Sequence, residues 1–372
     1  MLASLLGIRL ILWMARTVPV PPSAEVVAAL TEVQVRSDAA TGDGFQLTFT
    51  LGREDPLDYR LLRSGAVDPF TRVVIGVLLG AVPEVLIDGI VTHREVSPGG
   101  EGRAPALTVT GRDVSVMMDL EEKNQEYRNQ PDWLIVSRVI AGYAQYGLLP
   151  KPTPTADVPI ELFRIPRQHE TDLRFVQRLA DANGFVFYVE PLTFGANLAY
   201  WGPENRLSVP QPALTADMGP ATNVRQLRFA EDALAPVASE GTFTEPITKA
   251  TLPIPPLPPL KVPPLALSPT PARRTVLLRE TSKANPAQAA TAAVAAATSA
   301  PDPVTGSAEI DTVRYGGVLR ARKLVGVRGA GYSNDGFYYV RSVTHTIRRG
   351  DYRQSCTLSR EGTGALLPVV RP

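Results

Sequence analysis

Two sets of acid groups stand close enough in the sequence to suggest general acid–base work, Asp119 with Glu121 and Glu122, and Glu170 with Asp172. A glycosidase acting on cell wall needs no more than two carboxyls at a suitable separation. Both sets fall where helices are expected to begin or end, and a charged cap or a solvated turn accounts for an acid there without catalysis. The three histidines, His93, His169 and His345, are too far apart to form a local metal-ligand motif. Cys356 is the single cysteine, which excludes an intramolecular disulfide and any multi-thiolate metal site. Alternation on its strand sets it with Gln354 and Leu358, as a small core residue rather than a nucleophile. There is no phosphate loop, no G-x-S-x-G, no H-E-x-x-H and no C-x-x-C. The expectation is a chain with no catalytic residues, no cofactor and no metal.

Charge points elsewhere. The formal net charge is +1 and 44% of residues are hydrophobic, so neither disorder nor polyelectrolyte behaviour is expected of a chain long enough for two or more domains. Locally the balance breaks. Residues 310–360 carry ten Lys or Arg against three acids, and residues 81–126 carry nine acids against four bases. A basic cluster at Arg320, Arg322, Lys323 and Arg328 has the sign that nucleic acid requires, but it lacks interleaved aromatics and any reader motif. Complementary contacts between neighbouring subunits, or charges lining an axial channel, account for both patches at once. The candidate assembly residues are therefore Arg320, Arg322, Lys323, Arg328, Arg348 and Arg349, with Glu121 and Glu122 on the acidic side.

The elements that must position these residues are mostly strands. The N-terminal run through Met14 and Ala15 is too short to span a bilayer, is broken by Arg9 and lacks a cleavage signal. It reads as a first strand or docking arm, with Leu10, Leu12 and Met14 on one face. Thr31 to Arg36 and Phe45 to Leu51 predict a hairpin around Thr41-Gly42-Asp43-Gly44, with Phe45, Leu47, Phe49 and Leu51 on one side. Val73 to Leu79, Val85 to Thr92 and Leu107 to Gly111 add strands, and Gly111-Arg112-Asp113 turns into a short helix through Met118. Asp132 is expected to cap a helix over Trp133 to Tyr146 that Gly147 ends, with Trp133 and Tyr143 in packing roles.

Residues 167–190, RQHETDLRFVQRLADANGFVFYVE, form the sharpest unit. Thr171 or Asp172 caps a helix, Leu173, Val176 and Leu179 or Ala180 recur at helical spacing, and Gly184 supplies a left-handed stop. Phe185, Phe187 and Val189 then alternate with Val186 and Tyr188. Residues 245–271 are too rich in proline for a helix or a central strand and predict an extended surface excursion. A PxxP docking role with Lys261 nearby is the alternative. Beyond it, Thr275 to Arg279 predicts a strand, and Asn285 with Pro286 opens an alanine-rich helix to Ala297. Val318 to Val327, Phe337 to Ile347 and Tyr352 to Ser359 finish the chain as strands.

The order and spacing of three stretches, Gly111 to Leu120, Thr171 to Glu190 and Tyr339 to Arg360, resemble the phage late control D family. Its members are baseplate hubs, and type VI secretion spike proteins carry the same unit as their N-terminal half. The resemblance covers about Val33 to Gly362. It implies an α+β, mainly β fold with two tube-like small β-barrel domains and a helical middle subdomain. The corresponding division is an N-terminal arm at 1–24, a first barrel at 25–126, a helical connection at 127–190, a second barrel at 191–244 and 272–372, and the Pro-rich insertion at 245–271. The role it implies is structural: a homotrimer presenting six tube-like domains, which adapts a threefold spike to the sixfold inner tube. Its partners would be the inner tube protein, a separate spike protein and other baseplate proteins, with neither nucleic acid nor membrane insertion. It would be assembled in the cytoplasm into a phage tail-like particle that is released or stays inside the cell. Two other classes stay open, a peptide-binding module using the Pro-rich segment and a cell-wall hydrolase.

Overall fold

The computed structural model describes residues 7–52, 59–80, 82–100, 104–161, 164–244, 249–278 and 286–366. Its first part contains β1 (Ile8–Ala15), α1 (Ala24–Ala29), β2 (Leu30–Asp38), β3 (Gly44–Thr50), α2 (Arg60–Arg63), β4 (Arg72–Leu79), β5 (Val82–Ser97) and β6 (Ala106–Asp113). The N-terminal run is thus a strand, and β1 pairs antiparallel with β4 along its whole length. Leu12 and Met14 enter the same core as Phe45, Leu47 and Phe49, the alternating inward face of β3. β2 and β3 form the hairpin, with Val33 opposite Leu47 and Val35 opposite Phe45. Asp113 ends β6 and caps a single 3-10 turn over Val114–Met118 by accepting a hydrogen bond from the Ser115 amide.

The middle comprises β7 (Glu122–Glu126), α3 (Asp132–Ala141), β8 (Leu148–Pro152), β9 (Arg167–Thr171), α4 (Asp172–Asn183), β10 (Val186–Thr193) and β11 (Ala196–Gly202). Helix α4 follows its sequence signals closely. The Thr171 hydroxyl accepts from the Arg174 amide, and Gly184 takes the left-handed conformation at φ +67°. Leu173, Phe175, Val176 and Leu179 enter a core with Val136, Ile140 and Trp201, onto which Phe185 and Phe187 pack. Helix α3 departs from expectation. Pro131 occupies its cap position, Asp132 is its first residue, and regular helix stops at Ala141 before a 3-10 turn over Ala144–Tyr146 and left-handed Gly147. Asp132 is not the cap because its buried carboxylate accepts a hydrogen bond from Asn183 at the far end of α4.

The remainder holds β12 (Gln211–Thr215), β13 (Val224–Glu231), β14 (Val237–Thr244), β15 (Thr251–Ile254), β16 (Ala266–Pro269), β17 (Arg274–Leu277), α5 (Pro286–Ser299), β18 (Val304–Asp311), α6 (Thr312–Tyr315), β19 (Leu324–Arg328), β20 (Gly336–Arg348), β21 (Asp351–Arg360) and β22 (Gly362–Ala365). Arg279 and the cap residue Asn285 lie outside the described residues. The strand expected from Val318 begins only at Leu324, because Arg322 adopts a left-handed backbone at φ +64° that breaks the extended run. The Pro-rich excursion contributes two four-residue strands, each at the edge of a small sheet: β15 on β14 and β16 on β22. Edge positions tolerate proline because the missing N–H need not join a ladder.

Strands from both ends of the chain form one twelve-stranded sheet, ordered β1-β4-β5-β6-β3-β2-β20-β21-β18-β13, with β19 on β20 and β12 on β19. Six strands come from the first part, β1 to β6, and six from the last, β12, β13 and β18 to β21. The two parts meet where β2 pairs antiparallel with β20, Val33 opposite Ile347 and Val35 opposite His345. Among the described residues neither part closes on itself as a barrel, since β1 and β13 are the ends of the path. The join is favoured because both strands alternate, so inward side chains of the two meet directly across the ladder.

Candidate assembly surface

The structure sorts the eight charged residues by depth. Arg320 donates to Glu84 at 2.8 Å and to the Val85 carbonyl at 2.6 Å, fastening the last part of the chain to β5. Arg322, expected on an assembly surface, is interior. Its guanidinium donates to both carboxylate oxygens of Asp43 and lies 4.3 Å from the centre of the Tyr188 ring. Lys323 pairs with Glu190 of β10 at 3.2 Å. Arg328 donates to the Thr215 hydroxyl at 2.8 Å, tying β19 to β12. Arg348 meets Glu32 at 2.6 Å at one end of the β2–β20 join, and Arg349 donates to the Ala28 carbonyl. Both arginines keep an outward face. Glu121 and Glu122 are exposed, and neither has an ion-pair partner among the described residues.

Other charged side chains turn out to hold the parts together. Arg72 donates to both oxygens of buried Asp88 and to the Tyr146 carbonyl, while Asn197 of β11 donates to the same carboxylate at 3.0 Å. Buried Asp172 accepts from Lys123, Tyr143 and Gln168 at 2.5, 2.7 and 2.7 Å. A larger network is centred on Arg206, fully enclosed, which donates to Glu361 at 2.7 Å and stands 3.6 Å from Glu204 and Asp302. Lys261, the basic residue of the Pro-rich segment, donates to Asp302 at 2.8 Å and to the Ala300 carbonyl, with 7% of its side chain exposed. Burial pushes the Asp302 carboxyl up, but Lys261 and Arg206 outweigh it and hold the group below its ordinary range. Enclosed ions of this kind are stable only when paired and hydrogen-bonded. Lys261 is therefore an anchor for the excursion, unlike an exposed contact that a partner's groove would read.

The groups weighed for chemistry each have their own contacts in the fold. Asp119 accepts from the Thr171 hydroxyl at 2.6 Å, and Glu170 pairs with Arg178 at 2.7 Å. Cys356 is buried, and burial pushes its thiol up to about 12, against nucleophilic use. His345 is enclosed on β20, with Nδ1 2.9 Å from the Tyr352 hydroxyl; burial and then Arg320 hold it down to about 3, so it is neutral. His93 and His169 lie on β5 and β9, both exposed. Among the described residues no group of three or more His, Cys, Asp or Glu is placed to hold a metal ion, and no helix is long and apolar enough to cross a membrane. Nothing in local spacing marks Arg206, Asp302 or Arg72, because each finds its partners through the fold.

No protein-family model matches the chain, and a search of curated proteins finds no match either. Solved structures do match. A tail protein from Neisseria meningitidis is similar over 95% of this chain and 97% of its own, with a TM-score of 0.60 at 15% identity. The 43 kDa tail protein of prophage MuSo2 from Shewanella oneidensis is similar over 95% of this chain and 99% of its own, with a TM-score of 0.63 at 13% identity. An Escherichia coli component of the type VI secretion system, described as similar in structure to the T4 bacteriophage tail proteins gp27 and gp5, matches over 92% of this chain and 77% of its own, with a TM-score of 0.55 at 13% identity. At these identities the likeness is one of fold.

Proposed function

We propose that this chain is the central hub of a phage tail-like or contractile injection particle, a non-enzymatic trimer that adapts a threefold spike to a sixfold inner tube. The observation that carries the reading is the end-to-end likeness to two tail proteins, one of them from a prophage, each covered over nearly its whole length. The internal architecture supports it: six strands from each end of the chain, joined edge to edge, give each copy two β-rich halves. Three copies then present six such halves, treated in this reading as tube-like domains. Closed rings are the outcome of head-to-tail contacts whose rotation closes. The E. coli structure is described by likeness to both gp27 and gp5, and this chain covers 77% of it. In the hub reading the spike is a separate protein, and assembly takes place in the cytoplasm with inner tube and other baseplate proteins.

The test is electron cryo-microscopy of particles purified through a tag on this chain. The expected result is threefold density between tube and spike that fits three copies. A monodisperse monomer that brings down no tube or baseplate protein overturns the reading.

A further inference from the structure

Two short strands are anomalous as parts of a finished monomer. In β17 all four residues are exposed on both faces, Val276 at 45% and Leu277 at 68%. In β7 every residue except Lys123 is exposed. Among the described residues each has one neighbour only, β17 the parallel strand β14 and β7 the antiparallel strand β9, so each has one edge of backbone N–H and C=O groups without a ladder partner. Such edges are templates for pairing with another chain.

Their charges are opposite. Glu121 and Glu122 open the acidic strand, and Arg273 and Arg274 open the basic one. None of the four has an ion-pair partner among the described residues, whereas Arg320, Arg322 and Lys323 are all neutralised inside the chain. The edges also lie at opposite ends of one helix. β9, the partner of β7, runs directly into Thr171 at the start of α4, and at its far end Gly184 packs on Ala295 of α5, the helix that underlies β14. Twelve helical residues separate these ends by about 18 Å. Two different, complementary edges at separate places on a protomer make a head-to-tail contact, the type that generates rings.

We infer that, within the hub reading, neighbouring copies of this chain join by adding β17 of one to β7 of the next as a parallel ladder, with Arg273 and Arg274 alongside Glu121 and Glu122. Parallel order is set by charge, because both charged pairs stand at the N-terminal ends of their strands. The antiparallel order would bring Arg274 to Glu126, which already pairs with Arg128 and Arg167. Main-chain hydrogen bonds supply the affinity and the charges fix the register.

The test uses the full chain in sedimentation velocity across a concentration series. Wild type is expected to self-associate, more weakly at high salt. The variants Glu121→Lys with Glu122→Lys, and Arg273→Glu with Arg274→Glu, are each expected to raise the dissociation concentration tenfold or more. Combining all four should bring it back to within threefold of wild type. The residues are exposed, so circular dichroism melts of the variants should overlay the wild type. As a second readout, Glu122→Cys mixed with Arg274→Cys should give an oxidised cross-linked dimer, because adjacent strands stand about 4.8 Å apart, within disulfide reach. A wild-type chain that stays monomeric, a reversal without effect, or a combined variant that stays dissociated overturns the inference. Threefold density in particles whose assembly ignores the reversals sinks this contact and leaves the hub reading standing; a chain that pairs through these strands but never enters a particle does the reverse.

Discussion

Arg322 and Asp43 are 279 residues apart in the sequence and form a bidentate pair in the interior, with the guanidinium over Tyr188. The pair's net worth against an apolar replacement is small, but removing one partner leaves an uncompensated buried charge. Asp113 sharpens the effect: burial and then the charge of Asp43 push its carboxyl up, so an unpaired Asp43 would stand beside a second acid. Arg322→Met is therefore expected to cost about 3–5 kcal/mol, measured by urea denaturation of the monomer, and Asp43→Leu in the same chain should recover a large part of it. His345 gives a pH signature. Its folded pKa of about 3 lies below the ordinary value of 6.5, so its contribution to stability is full above 6.5 and is lost as pH falls toward 3. Between pH 7 and pH 5 this group alone should remove about 2 kcal/mol, and His345→Gln should flatten that part of the profile measured by chemical denaturation.

At the scale of elements, the α4 and β10 unit depends on Gly184 twice. Its backbone is left-handed, and a Cβ there would stand 2.9 Å from the Ala295 Cα. Gly184→Ala should cost about 2–3 kcal/mol, from a strained backbone and a displaced α5, seen as a lower Tm. That unit was legible in the sequence because everything that defines it is local: a hydroxyl cap, an apolar stripe at helical spacing, a glycine stop and a period-two strand. The β2–β3 hairpin was legible for the same reason. What was hidden depends on distant partners. Asp132 carries a cap's chemistry but serves Asn183, and the strand expected from Val318 is delayed to Leu324 by a turn at Ala321 and Arg322, where the left-handed Arg322 reaches Asp43. The Pro-rich segment read as a stiff excursion, yet the anchoring of its strand β16 and of the enclosed Lys261 follows from Glu361 and Asp302, which no spacing rule links to it. Of the charged residues singled out by composition, Glu121 and Glu122 are exposed without ion pairs among the described residues. The basic ones could not be sorted into exposed and enclosed without the fold.

At the scale of the whole molecule, the β2–β20 ladder decides whether the two β-rich halves behave as one body. β2 is hydrogen-bonded on both sides, by β3 and β20, and β20 by β2, β21 and β19. Val33, Val35 and Val343 on these strands are essentially inaccessible to water. Opening the join would expose an inward row of each strand and break the pairing from Glu32 with Arg348 to Asp38 with Ser342. The salt bridge of Arg348 with Glu32 and the clamp of Arg320 on Glu84 cross the same division. Two halves linked only by chain would open independently, with the join exchanging faster than either core. The continuous sheet instead predicts that amides of Val33, Val35, Val343 and His345 exchange by global unfolding, as slowly as those of Leu47 in β3 and Val340 in β20. Hydrogen exchange read by mass spectrometry on the purified chain checks this. Protection at the join several orders of magnitude below that of both cores would mean that the halves part in solution, and the sheet would then be a product of proximity rather than the element that fixes their relative orientation.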